Sequence, residues 1–141
     1  MNPEITLLVH NIRSTHNVGA IFRTAEGFGI KKIILSGYTP YPELSLCSKA
    51  PACALIDGEI RSEDPRLPHI REKITSQIHK TALGAESLVP FEFYEDINDW
   101  IKENQRTENL PIIALEQSKD SVMLSEFQPP EKFALLLGEE V

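Results

Sequence analysis

A chain of 141 residues with 41% hydrophobic content is long enough to bury one core, so a single domain over 1–141 is expected. No run approaches the roughly 18 consecutive apolar residues of a membrane span, and Asn2-Pro3-Glu4 lacks the basic-then-apolar order of a signal peptide, which points to a cytoplasmic protein with no membrane partner. A formal net charge of −7 argues against gripping nucleic acid by bulk electrostatics, yet the charge is uneven: residues 1–80 hold ten Lys+Arg against eight Asp+Glu, and residues 81–141 hold four against thirteen.

Ile5 to Val9 reads as a first strand, apolar throughout as a strand buried on both faces is. Val18, Ile21, Phe22, Ala25 and Phe28 recur at helical spacing, and Gly29 sits where a helix stops. Between them lies a polar approach, Asn11-Ile12-Arg13-Ser14-Thr15-His16-Asn17. Gly19 and Arg23, four apart, stack on one face away from the apolar stripe, the glycine leaving room beside the guanidinium for another molecule's backbone. That arrangement suits an anion or an RNA strand. Ile33-Ile34-Leu35 is a second strand, and strand–helix–strand in about thirty residues is the βαβ unit of a parallel sheet. Neither a Gly-x-Gly-x-x-Gly fingerprint nor a Gly-Lys-Ser/Thr phosphate loop is present.

From Tyr38 to Pro68 the prolines at 40, 42, 51, 65 and 68 predict mostly loop, an insertion at 38–68 within the domain. It is read either as a plain surface insertion or as an RNA-facing surface in which Tyr38 and Tyr41 stack on unpaired bases while Lys49, Arg61 and Arg66 meet phosphate. Cys47 and Cys53 inside it have no metal-ligand spacing around them and read as reduced thiols. Ile70, Ile74 and Ile78 mark a helix leading into the small-residue run Thr81 to Glu86, with Leu88 to Tyr94 as a third strand. Ile97, Trp100 and Ile101 give a short helix capped by Asp96, Pro111 to Glu116 a further buried strand, and Phe133 to Leu137 a fifth strand delivering Gly138-Glu139-Glu140. Ligands of open parallel sheets bind off the carboxyl ends of strands, which makes Glu116 and its loop candidates for cofactor contact.

The pattern Asn11-x-Arg13, then Asn17-x-Gly19-x-x-x-Arg23-Thr24-Ala25, resembles the first signature motif of the SpoU (TrmH-like) RNA ribose 2'-O-methyltransferases of the SPOUT superfamily. The apolar strand before Gly138-x-Glu140 is similar to the family's second motif, with Glu139 where the family has Asn. The resemblance implies an α/β fold, a parallel sheet with flanking helices of the SPOUT α/β-knot type. It also implies S-adenosylmethionine as cofactor, tRNA or rRNA as partner, a homodimer and no metal. The family's third motif, which closes the knot, has no counterpart before Val141, so a domain lacking its C-terminal knot-closing segment is expected. A catalytically inactive RNA-binding module and a non-functional fragment are the alternatives.

By the same resemblance Arg23, Asn17 and Glu140 are the catalytic candidates. Leu115, Glu116, Gly138 and Glu139 are implied as cofactor contacts, and Asn11, Arg13, His16 and Gly19 as RNA contacts. Ordinary structural roles stand beside these: an ion pair from Arg23 to Glu26, a helix cap for Asn17, and a solvated chain end for Glu140. His10 and His16, with no carboxylate at readable spacing, read as bystanders.

Overall fold

The computed structural model describes residues 2–44, 54–56, 59–60 and 64–138. The elements in chain order are β1 (Glu4–His10), α1 (Thr15–Phe28), β2 (Lys32–Ser36), β3 (Ala54–Ile56), β4 (Glu59–Ile60), α2 (Pro68–Ala82), β5 (Phe91–Tyr94), α3 (Ile97–Arg106), β6 (Ile112–Ala114) and β7 (Lys132–Leu137). Seven strands form one sheet in the order β4-β3-β5-β2-β1-β7-β6. Every pairing is parallel except the short hairpin of β3 with β4. The expected parallel α/β sheet with flanking helices is therefore present.

Alternation along the central strands builds two cores. Leu7 and Val9 of β1, with Ile33 and Leu35 of β2, face α1 and α2 and bury Val18, Phe22, Ala25, Ile78 and Phe91 among them. Leu8 and Ile34 point the other way, onto Tyr94 and Trp100. Both faces of β1 and β2 are covered, which is why those segments are apolar without a polar alternation.

Ser14 caps α1, its hydroxyl accepting from Asn17 N at 3.2 Å, and Gly29 ends the helix in the left-handed region at φ +67°. Phe22 meets Phe91 edge-to-face at 5.7 Å, tying α1 to the third strand of the parallel order. Asp96 caps α3 as expected, accepting from Asn98 N at 2.9 Å.

Within the 38–68 stretch, expected to be mostly loop, Ala54-Leu55-Ile56 adds β3 to the open edge of β5, and Glu59-Ile60 pairs back on it; two other expectations are corrected. An unpaired strand edge accepts any apolar segment that can supply a ladder, and the nearest prolines fall outside these residues. The strand expected from Leu88 starts at Phe91, because Ala85–Ser87 form a 3-10 turn and Pro90 has no N–H for the ladder. The Pro111–Glu116 strand is short and open rather than buried: β6 is the sheet edge, with Ile112 38% and Leu115 61% exposed. Lys49, Arg61, Cys47 and Cys53 lie outside the described residues, as do Glu139 and Glu140.

Candidate nucleic-acid interface

The carboxyl ends of β1 and β2 lie side by side in parallel register, with His10 opposite Ser36, and the loops that leave them are bound to each other. His10 Nδ1 lies 3.0 Å from Ser36 Oγ, and its Nε2 lies 3.1 Å from Asn11 Nδ2. The Asn11 carboxamide oxygen accepts from Tyr38 N at 3.2 Å. That bond fixes which end of the amide is the donor, so Nε2 of His10 accepts and Nδ1–H donates to Ser36.

Asn11 is itself left-handed at φ +54°, a conformation asparagine tolerates better than other side chains. Gly37 follows at φ +69°, and the Asn11 side chain fills the space a Cβ there would need. Thr39, 2% exposed, completes the joint: Oγ1 accepts from Ile12 N at 3.1 Å and donates to Ser36 O at 2.7 Å. Asn11 is thus the keystone of the two loops, its amide occupied inside the protein. Its structural role is to hold the shape of the two loops.

Arg13 extends from this joint, exposed, with its guanidinium 5.5 Å from the centre of the Tyr38 ring. Tyr38 is 51% exposed. One turn on, the side chains of His16 and Asn17 are exposed at the start of α1, and the His16 carbonyl accepts from Thr81 Oγ1 at 2.8 Å. Ser14, not Asn17, is the cap, so the Asn17 side chain is not consumed in that role.

Gly19 requires the firmest correction. It is buried, and a Cβ on it would overlap Thr81 Oγ1 and the Ile78 carbonyl while standing 3.0 Å from Ala82 N. The room it leaves is taken by α2, not by another molecule. A small residue is needed because two helix backbones meet there, and sequence spacing alone does not distinguish that from a ligand's approach.

Arg23, in contrast, is exposed, and among the described residues it makes no hydrogen bond or ion pair; the alternative pairing with Glu26 does not form. Asn17 precedes it by six residues, about 9 Å along the axis and roughly 120° around it, so the two side chains leave the helix in different directions.

Of the aromatic and basic residues expected to face RNA in the 38–68 stretch, Tyr41 and Arg66 turn inward. Tyr41 is stacked on Phe93 at 4.2 Å between ring centres and covered by Arg66 at 3.7 Å. Arg66 donates to Tyr41 O at 2.6 Å, Pro42 O at 3.0 Å and both Asp64 carboxylate oxygens, at 3.0 and 2.7 Å. Burial alone would raise the Asp64 carboxyl, but the hydrogen bonds and charge of Arg66, with the Leu44 amide, outweigh it and hold the group below its ordinary value.

The candidate cofactor residues follow β6 and β7, and β7 is the other neighbour of β1, with Leu137 opposite Val9. Leu115 N still donates to Leu136 O at 3.0 Å, after which Leu115 and Glu116 are exposed. The loop beyond is closed by Ser121 Oγ, which accepts from Ser118 N at 3.0 Å and reaches Glu116 O at 3.2 Å. Nothing lies within 4 Å of a Cβ built on Gly138. An apolar side chain to lie against a base, a carboxylate to accept from ribose hydroxyls and an open glycine backbone are groups that suit one side of an adenosine. No hydrogen bond or ion pair joins Arg23 to them among the described residues. Nor do these residues include three or more His, Cys, Asp or Glu grouped to hold a metal ion.

No family model and no curated protein matches the chain. Solved structures do. The rRNA methyltransferase from Sinorhizobium meliloti matches with a TM-score of 0.66 at 21% identity, over 99% of this chain and 41% of that one. Its AdoMet-bound form matches with 0.63 at 18%, over 99% and 41%. The SpoU methyltransferase AviRb from Streptomyces viridochromogenes, in complex with the cofactor AdoMet, matches with 0.60 at 17%, over 99% and 42%. The chain has the fold of these methyltransferases and spans about two fifths of their length.

Proposed function

We propose that the chain is the RNA-facing part of a SpoU-type methyltransferase that methylates a ribose 2'-hydroxyl of tRNA or rRNA, with S-adenosylmethionine as the methyl donor. The observation that carries the reading is Arg23, an exposed arginine on α1 that makes no hydrogen bond or ion pair among the described residues, in a fold shared with AdoMet-bound methyltransferases. Exposed Arg13, His16 and Asn17 at the head of the same helix extend the surface toward an RNA strand.

A ribose hydroxyl is a weak nucleophile, so transfer needs alignment and a way to remove its proton. Arginine stays protonated and is a poor base, which leaves Arg23 to stabilise the developing alkoxide as the proton passes to a substrate phosphate or to water. Asn17 orients the ribose rather than Arg23, given their different directions on the helix. Bound S-adenosylmethionine supplies an electrophilic methyl group; Leu115, Glu116, Gly138 and Glu139 would hold it, with Glu140 in support. A homodimer, in which one copy's Arg23 acts beside the cofactor held by its partner, belongs to this reading.

The test is transfer of labelled methyl to unmodified tRNA and rRNA transcripts, scored as alkali-resistant linkages that only 2'-O-methylation creates. Arg23→Ala should lower the yield by about 100-fold or more, the usual effect of losing an oxyanion donor. Methylation of bases instead, or turnover that survives Arg23→Ala, contradicts the assignment. The open edge at Leu115 and Gly138 favours a second reading, an RNA-binding module without turnover. Retained RNA binding with no calorimetric heat at millimolar S-adenosylmethionine would select it.

A further inference from the structure

Many cations of this acidic chain are taken by its own carboxylates: Lys31 pairs with Glu4, Lys32 with Glu92, Arg66 with Asp64, Arg71 with Glu43 and Arg106 with Glu103, at 2.5 to 3.3 Å. Among the described residues, the lysines and arginines that make no hydrogen bond, ion pair or ring contact are Arg23, Lys73, Lys80, Lys102 and Lys119. Three of these five lie on α1 and α2, which share one core, so the uncommitted positive charge gathers on one side of the sheet.

Helix geometry sets where that charge points. Lys73 and Lys80 are seven residues apart, on one face of α2 and about 10.5 Å apart along its axis. Both are exposed, whereas Ile78 and Ala82 of the same helix are buried. Glu72, the only carboxylate of α2, lies about 100° around from Lys73 and lines a cleft with Glu43, His79 and Glu86. The lysine face is distinct from that acidic one.

Two joints place this face beside the head of α1. The Glu43 amide, in the loop that leaves β2, donates to Thr75 Oγ1 at 2.9 Å, and Thr81 Oγ1 donates to the His16 carbonyl at 2.8 Å. α2 thus runs from the β2 loop to the start of α1, with Lys73 just before the first joint and Lys80 just before the second. Gly19 meets Ile78 and Ala82, and Arg23, one turn on, leaves α1 on that same side.

We propose that Lys73 and Lys80 form, with Arg23, a track for the phosphates of the RNA strand that reaches the head of α1. The track rests on the reading of that head as RNA-facing. Phosphate contacts from lysine carry no sequence information but set the strand's direction across the protein. In a chain of net charge −7 they also supply, locally, the counterion release that the molecule as a whole cannot.

The probe is an end-labelled oligouridylate of about twelve nucleotides, bound to the whole chain and followed by anisotropy over a salt titration. For the parent, log affinity should fall linearly with log salt concentration. In Lys73→Gln/Lys80→Gln the slope should drop by about 1.4, two contacts at ~0.7 each on a single strand, while Lys73→Arg/Lys80→Arg keeps the parent's slope. Lys102→Gln/Lys119→Gln removes the same charge elsewhere and should leave the slope near the parent's. An unchanged slope in the first variant, or an equal drop in Lys102→Gln/Lys119→Gln, overturns the track while leaving RNA binding by the head of α1 intact. Absence of binding by the parent overturns both. Circular-dichroism melts of Lys73→Gln/Lys80→Gln, expected to match the parent because neither lysine is bonded among the described residues, separate loss of charge from loss of the fold.

Discussion

Two neighbouring stretches of the sheet's carboxyl edge, the β1–β2 loops and the β6–β7 loops beside them, are built to different standards. Where β1 and β2 end, the side chains of Asn11, Ser36 and Thr39 and the Tyr38 amide meet protein partners, at 2.7 to 3.3 Å. Where β6 and β7 end, Leu115 and Glu116 stand exposed after the edge strand and Gly138 after β7, and the loop beyond Glu116 is tied by bonds among Ser118, Ser121 and the Glu116 carbonyl. The first is a preorganised surface whose shape exists before any ligand arrives. The second offers backbone and side chains without enclosing them. Affinity that depends on preorganisation should therefore concentrate at the β1–β2 end.

Gly19→Val is the sharpest way to break the organised end, since any side chain there collides with α2. Overpacking of this kind costs about 2–3 kcal/mol, read as a fall of roughly 6–12 °C in Tm. An unchanged melt would mean that α1 and α2 do not meet backbone to backbone. Asn11→Ala comes next, expected to lose about 1–2 kcal/mol in urea unfolding through its left-handed backbone and two side-chain bonds. The corresponding change at the open end, Leu115→Ala, should be nearly silent.

A smaller effect is pH-dependent. The folded value of Asp64 lies below its unfolded value, so its stabilisation is present above the ordinary carboxylate range and is lost as pH falls through the folded value. Asp64→Asn should be less stable than the parent near neutral pH, and the gap should narrow as pH falls below the ordinary carboxylate range. A gap independent of pH would assign the loss to hydrogen bonding alone. Smallest of all, Arg23→Ala should leave Tm within about 1 °C, because an exposed side chain with no bonded partner among the described residues contributes little to stability. A large destabilisation would show that Arg23 is structural.

Much of the fold was legible in residue spacing. The apolar runs of β1, β2 and β7 and the helical period of α1 and α2 report burial directly, because alternation and the 3.6 period are consequences of which faces touch the core. What was not legible depends on long-range pairing. Ala54-Leu55-Ile56 becomes a strand only because β5 has an open edge, and Pro111–Glu116 stays exposed only because nothing in the described residues covers β6.

At the site, type and spacing singled out the right loop but misjudged several roles in it. Gly19 serves a helix contact, Asn11 a turn, and Tyr41 with Arg66 an internal clamp, since each residue type fits both a ligand and a structural partner equally well. His10, read as a bystander, bridges Ser36 and Asn11. The signal that could have found it was its position as the last residue of an apolar strand, where an outgoing loop needs a polar anchor. For Asn11 the signal was asparagine's tolerance of positive φ just after a strand end.

The central claim, that RNA meets the β1–β2 end of the edge, is tested most directly by backbone amide NMR of the whole chain titrated with a single-stranded oligoribonucleotide. Shifts concentrated at residues 10–17, 23 and 36–39 are predicted. Shifts confined to the β6–β7 loops around Leu115 and Gly138, with the β1–β2 loops unmoved, would contradict it.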